Sequence, residues 1–138
     1  MDKKPLIELV GGPDIVKRIV GNFYLRVEHD QPLRSIYPKD LSPGREKLEL
    51  FLEQWLGGEA RYSKIHGHPR LRRRHFPFVI SEDNANRWLT HMHDAFEEEN
   101  LLAETIQIVF ERLTPLAYHM VNEGEDIPRE PLQDTRLT

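Results

Sequence analysis

The sequence predicts an all-α protein of a single domain, on three observations. Apolar residues recur at spacings of three and four along four segments, nothing alternates with a period of two for long enough to suggest a sheet, and proline, glycine and hydroxyl residues punctuate the segment ends. At 138 residues, 38% hydrophobic and 30% charged, the chain is long enough for one closed core.

Pro13 and Asp14 open the first helix, whose apolar residues Ile15, Ile19, Phe23 and Val27 are flanked by Val16, Val20 and Tyr24. Asp30-Gln31-Pro32 stops it. A short piece with Leu33, Ile36 and Tyr37 ends at Pro38. Ser42-Pro43 then predicts a helix start, with Ser42 as cap; Leu48, Phe51, Leu52 and Trp55 share one face, and Gly57-Gly58 ends it. A long cationic loop follows. Ser81 caps the next helix, with Ala85, Trp88, Leu89, Met92, Ala95 and Phe96 as its buried stripe. The last helix carries Leu102, Ile106, Val109, Phe110, Leu113, Ala117, Met120 and Val121, and Pro115 inside it predicts a kink or a division. The domain covers residues 1–122; residues 123–138 form a polar tail with little to bury, expected to be poorly ordered.

A net charge of −4 argues against bulk attraction to nucleic acid or to an anionic membrane. No apolar run approaches the roughly 20 residues of a membrane span, and no signal-peptide core precedes Gly11, so a cytoplasmic location is expected. Without cysteine there are no disulfides, thiolate metal sites or thioether links to a cofactor.

Positive charge is nevertheless concentrated at Arg70, Arg72, Arg73 and Arg74, within the stretch GGEARYSKIHGHPRLRRRHFPFVI at residues 57–80. His75 stands between that cationic strip and the apolar run Phe76-Pro77-Phe78-Val79-Ile80. An imidazole placed so suits an iron porphyrin, whose macrocycle is apolar, whose carboxylates are anionic and whose iron takes an axial nitrogen.

Val10-Gly11-Gly12, Asn22-Phe23-Tyr24, Ile36-Tyr37-Pro38 and Leu50-Phe51-Leu52-Glu53-Gln54-Trp55 precede that stretch in order. Within and after it come Tyr62-Ser63, Gly67-His68-Pro69-Arg70-Leu71-Arg72, Arg74-His75 with Phe78 and Ile80, and Arg87-Trp88-Leu89 with Met92. In this order and spacing, residues 9–122 resemble the group II truncated haemoglobins. The resemblance implies a two-over-two helical sandwich enclosing haem b, with His75 as the proximal iron ligand and its other ring nitrogen donating to a backbone carbonyl. It puts Tyr24, Trp88 and Tyr37 on the opposite side as hydrogen-bond donors to a bound gas, Gly44 where many globins have a distal histidine, and Leu48 and Leu52 as apolar wall. It implies Arg74, Lys47 and Tyr62 as propionate partners, and Phe51, Phe78, Ile80 and Met92 as the remaining cofactor contacts. Arg73, Trp55-Leu56 and Pro115 depart from the family pattern.

The implied function is binding of O2, CO and NO with slow O2 release. That suits redox chemistry or sensing better than bulk transport, and nitric oxide dioxygenation or peroxidase-like turnover would draw on a separate reductase. The protein is expected as a monomer or homodimer. The contrasting reading is a cofactor-free helical module using residues 70–74 to bind RNA or another anionic partner. A zinc site built from His66, His68 and His75 lacks the fourth ligand that structural zinc sites take.

Overall fold

A computed structural model describes residues 4–132. Among these, the helices are α1 (Leu6–Val10), α2 (Pro13–Glu28), α3 (Gln31–Arg34), α4 (Ser42–Trp55), α5 (Arg61–His66), α6 (Leu71–Arg74), α7 (Glu82–Glu97) and α8 (Ala103–His119), with no strand. The chain is all-α, as its periodicities predict.

Helix α2 organises the rest. Its residues Val16, Ile19, Val20, Phe23, Tyr24 and Val27 are all buried, because spacings of three and four place them on one face. The helix packs against both α4 and α7, and α7 packs in turn against α8. The core gathers Leu52 and Leu56 at the end of α4, Met92, Ala95 and Phe96 of α7, and Ile106, Val109 and Leu113 of α8 around that face. The short α1 lies against α8 and α2. Phe23 and Phe96 are fully buried, and full burial of such a side chain contributes about 1.5–3 kcal/mol.

Helix ends follow their local chemistry. Pro13 occupies the first turn of α2, where a missing N–H costs nothing. The Ser81 hydroxyl accepts the Asn84 N–H at 3.1 Å and caps α7. Ser42 does not cap α4: it is already helical, and the Asp40 carboxylate takes its N–H at 3.0 Å.

Other expectations are corrected. The cationic loop contains α5 and α6, helices of six and four residues and too brief to carry an apolar period. Leu102 lies just outside α8, at its N-cap position, and is exposed. Pro115 does not divide α8, which runs through to His119. Pro115 and Glu111 are both exposed, so the Glu111 carbonyl that loses its helical donor lies on the solvated side. In the polar tail, residues between 123 and 130 form hydrogen bonds with the 72–80 segment, and residues 133–138 fall outside the described residues.

Close packing at the end of α4 gives a stability prediction. The Ile7 N–H donates to the Leu56 carbonyl at 2.9 Å, tying α1 down over Gly58. A Cβ at Gly58 would stand 2.7 Å from Ile7 Cδ1 and 2.8 Å from the Glu53 carbonyl oxygen. The backbone contact cannot yield, so Gly58→Ala should lower unfolding stability by about 1–3 kcal/mol, measurable by urea denaturation.

Candidate functional site

His75 closes α6. Its backbone N–H bonds to the Arg72 carbonyl at 3.1 Å, and its ring Nδ1 donates to the Leu71 carbonyl at 2.7 Å. That bond fixes the tautomer and leaves Nε2 with the lone pair a metal would take. Burial pushes the His75 pKa down, opposed by the Leu71 bond, so the ring is neutral near pH 7. Beside it Phe78 and Val79 present exposed apolar surface. A neutral imidazole with a free Nε2 lone pair, next to the exposed apolar Phe78 and Val79, fits a porphyrin iron.

A second group gathers where α2, α4 and α7 meet. Tyr24 is buried on α2, and its hydroxyl oxygen lies 3.1 Å from where a Cβ on Gly44 would stand. The first turn of α4 thus lets the phenol approach closely because residue 44 has no side chain; a Cβ there would crowd the hydroxyl. Tyr37, just beyond α3, lies edge-on to Tyr24 at 5.9 Å between ring centroids. Its hydroxyl takes a hydrogen bond from Trp88, whose indole N–H can only donate. Phe23 holds this group from beneath, edge-on to Tyr24 and to Trp88 at 5.3 Å each. Burial pushes the Tyr24 phenol up to about 12 against a pull from Arg45, and raises Tyr37 as well, with Tyr24 adding and the Trp88 bond opposing. Both phenols therefore stay protonated donors at neutral pH.

The remaining expected contacts divide. Leu48 and Phe51 of α4 are partly buried against the core. Phe51 meets the buried Tyr62 edge-on at 5.9 Å, and Tyr62 lies 5.0 Å from the His66 ring. Leu52 and Met92 are sealed in the core. Ile80 is buried, and Lys47 is exposed on α4.

Three of the four clustered arginines have partners within the chain, while Arg70 is exposed. Arg74 donates from Nε to the Pro69 carbonyl at 2.8 Å and from Nη2 to the His66 carbonyl at 3.0 Å, so it braces its own loop. Arg72 reaches the His119 carbonyl at 2.9 Å and the Glu125 carboxylate; Arg73 reaches the Glu130 carbonyl at 3.0 Å, and both stack on Phe76. These internal partners do not favour the reading of residues 70–74 as an RNA-binding surface.

Sequence reasoning passed over three contributors. Arg45 acts electrostatically on Tyr24. The Asp30 carboxylate takes the Leu33 N–H at 3.5 Å, Arg87 Nη1 at 3.1 Å and His91 Nε2 at 2.7 Å, pinning α3 to α7. The third is Asn122, whose side chain bonds to the His75 and Phe78 carbonyls. An Asp before Gln31-Pro32 is a cap signal, so Asp30 alone had a local trace in the sequence.

The sequence model of the bacterial-like globin family matches residues 5–122. The chain is 41% identical over 114 residues to the group 2 truncated hemoglobin YjbI of Bacillus subtilis, covering 83% of this chain and 86% of that one. The crystal structure of the group II truncated hemoglobin from Bacillus anthracis superposes with a TM-score of 0.85 at 34% identity, over 99% of each chain. The truncated oxygen-avid haemoglobin from Bacillus subtilis does so at 0.81 and 39% identity, over 86% of this chain and all of that one. With a two-helix-pair sandwich and this spread of matches, the chain belongs to the bacterial-like globin family, as a group II truncated haemoglobin.

Proposed function

We propose that this globin holds haem b through His75 Nε2 and binds O2, CO or NO on the side lined by Tyr24, Tyr37 and Trp88. The convergence of the Tyr24 hydroxyl on Gly44, beside the Trp88–Tyr37 hydrogen bond, carries the reading. When bound, haem would supply an iron able to bind an imidazole nitrogen, from His75, and a diatomic gas.

The chain's own residues do the rest. Leu71 orients the His75 ring. Tyr24 and the Trp88–Tyr37 pair offer protonated donors, which favour a ligand that gathers negative charge. Phe23, Leu48 and Phe51 keep that space apolar, where a hydrogen bond is stronger than in water. Gly44 leaves room for the Tyr24 hydroxyl and offers no donor of its own. With Arg74 turned to its loop, Lys47 is the cation for a propionate, and Phe78 supplies apolar contact to the macrocycle.

Donors of this kind slow O2 release. The oxygen-avid character given for the Bacillus subtilis relative supports this. Slow release favours redox chemistry with an external reductant, such as nitric oxide dioxygenation or peroxidase-like turnover, or gas sensing, over bulk transport. Among the described residues no helix is long and apolar enough to cross a membrane, in keeping with work in the cytoplasm. The test is the visible spectrum of the purified protein before and after dithionite and carbon monoxide. A Soret band that shifts on CO is expected; a protein that stays colourless after haemin is offered would overturn the proposal.

A further inference from the structure

The segment that carries His75 has little helix packing of its own. Helix α6 is one turn long, and none of the extensive helix–helix contacts in the fold involves it. Hydrogen bonds from the chain beyond α8 hold it instead, and Asn122 is their centre. Asn122 is buried, one residue type among few polar ones in the interior. Its Oδ1 accepts the Ile80 N–H at 2.9 Å, while Nδ2 donates to the Phe78 carbonyl at 3.0 Å and to the His75 carbonyl at 3.3 Å. Its backbone N–H adds a bond to the Ile80 carbonyl at 3.0 Å. A side-chain amide presents an acceptor and two donors in one plane, and all three functions are used here.

Arginines interlock around this point from both directions. Arg129 Nη1 donates to the Phe76 carbonyl at 3.0 Å, and its Nη2 donates to the Asn122 carbonyl at 3.1 Å. From the other side Arg72 reaches the carbonyls of His119 and Val121, and Arg73 reaches that of Glu130. The carbonyls of His75, Phe76 and Phe78 are thus all tied to residues 122–129, while the imidazole itself is tied to Leu71.

We propose that Asn122 is a positioning residue for the proximal histidine, and that residues 122–130 are a strap that fixes the direction of the His75 imidazole and slows loss of the cofactor. The inference rests on the reading of His75 as iron ligand. With the ring held to Leu71 and its backbone carbonyl held to Asn122, the segment carrying the imidazole cannot shift without breaking a hydrogen bond. Groups that orient a metal ligand from outside typically change metal affinity by about 10- to 100-fold when lost.

The test uses the haem-loaded, ferrous full-length chain, with resonance Raman of the iron–histidine stretch and haem transfer to excess apomyoglobin. Asn122→Ala should shift and broaden the stretch and speed haem transfer about tenfold or more. Arg129→Gln, which removes the strap's clasp without touching the interior amide, should move both in the same direction by less. Val109→Ala, a buried change in α8 away from the loop, controls for stability: it should lower the melting temperature and leave the stretch unmoved. An Asn122→Ala protein with the wild-type stretch and transfer rate overturns the inference, as does a Val109→Ala protein that moves the stretch equally. If Asn122→Ala does not fold, an Arg129→Gln protein with unchanged stretch and transfer overturns it. A wild-type protein with no iron–histidine band overturns the His75 assignment itself, and the positioning role falls with it.

Discussion

Replacing His75 by Ala should abolish tight haem retention. The expected effect exceeds any other single change, because the residue supplies the only protein bond to the metal in the proposed arrangement. Loss of groups that merely orient a metal ligand costs about 10- to 100-fold in affinity, so loss of the ligand itself should raise the haem dissociation constant by at least about 100-fold. Transfer to apomyoglobin measures it. The rest of the site should persist, since His75 is only partly buried and its ring bonds only to Leu71. Imidazole added to the variant should then restore a histidine-like spectrum. A variant that keeps stoichiometric haem with an unchanged axial ligand would sink the assignment.

Exchanging both Tyr24 and Trp88 for Phe should speed O2 dissociation by the next largest factor. A hydrogen bond to a charged acceptor contributes about 1.5–3 kcal/mol, and about 1.4 kcal/mol is tenfold, so each donor lost is worth about tenfold or more. Phenylalanine preserves the edge-on packing on Phe23, which separates the lost donor from a lost contact. The double variant should exceed the sum of the two single variants, because in each single variant a remaining donor, Tyr37 included, can turn toward the ligand and mask part of the loss. Stopped-flow dissociation measures all three proteins. Since burial pushes the Tyr24 phenol up to about 12, the wild-type rate should not rise between about pH 7 and about pH 10, where an exposed tyrosine titrates. Unchanged dissociation in the double variant would mean that the donors lie elsewhere.

Much of this protein is legible in its sequence, and the legible part follows a rule. Helices α2, α4, α7 and α8 each bury one face, so Phe23, Leu52, Phe96 and Val109 leave a periodic trace. Ser81 before α7 is a cap that can be seen without a structure. The family pattern singled out Tyr24, Trp88 and His75 among aromatic and imidazole groups that periodicity alone could not tell from core or loop. What escaped has no period. Helices α5 and α6 are shorter than two turns. The Asn122 bonds to Phe78 and Ile80 span more than forty residues through one amide, and no local pattern announces a single long-range bond. Arg72 and Arg73 leave no trace because their partners are carbonyls, and for Arg72 one carboxylate, of the distant chain.

Helix α2 packs on α4 with one flank and on α7 with the other, and Tyr24 sits on it with Phe23 as its neighbour in both chain and space. The residue proposed to tune gas affinity is therefore also part of the keystone. Adaptation at this position has narrow room: trading size there would unseat the scaffold, whereas trading one hydroxyl for hydrogen leaves every wall standing. Variation in oxygen affinity among proteins built this way should accordingly concentrate in the presence or absence of single polar atoms on a constant set of rings, a chemical alphabet of very few letters written on an unchanging page.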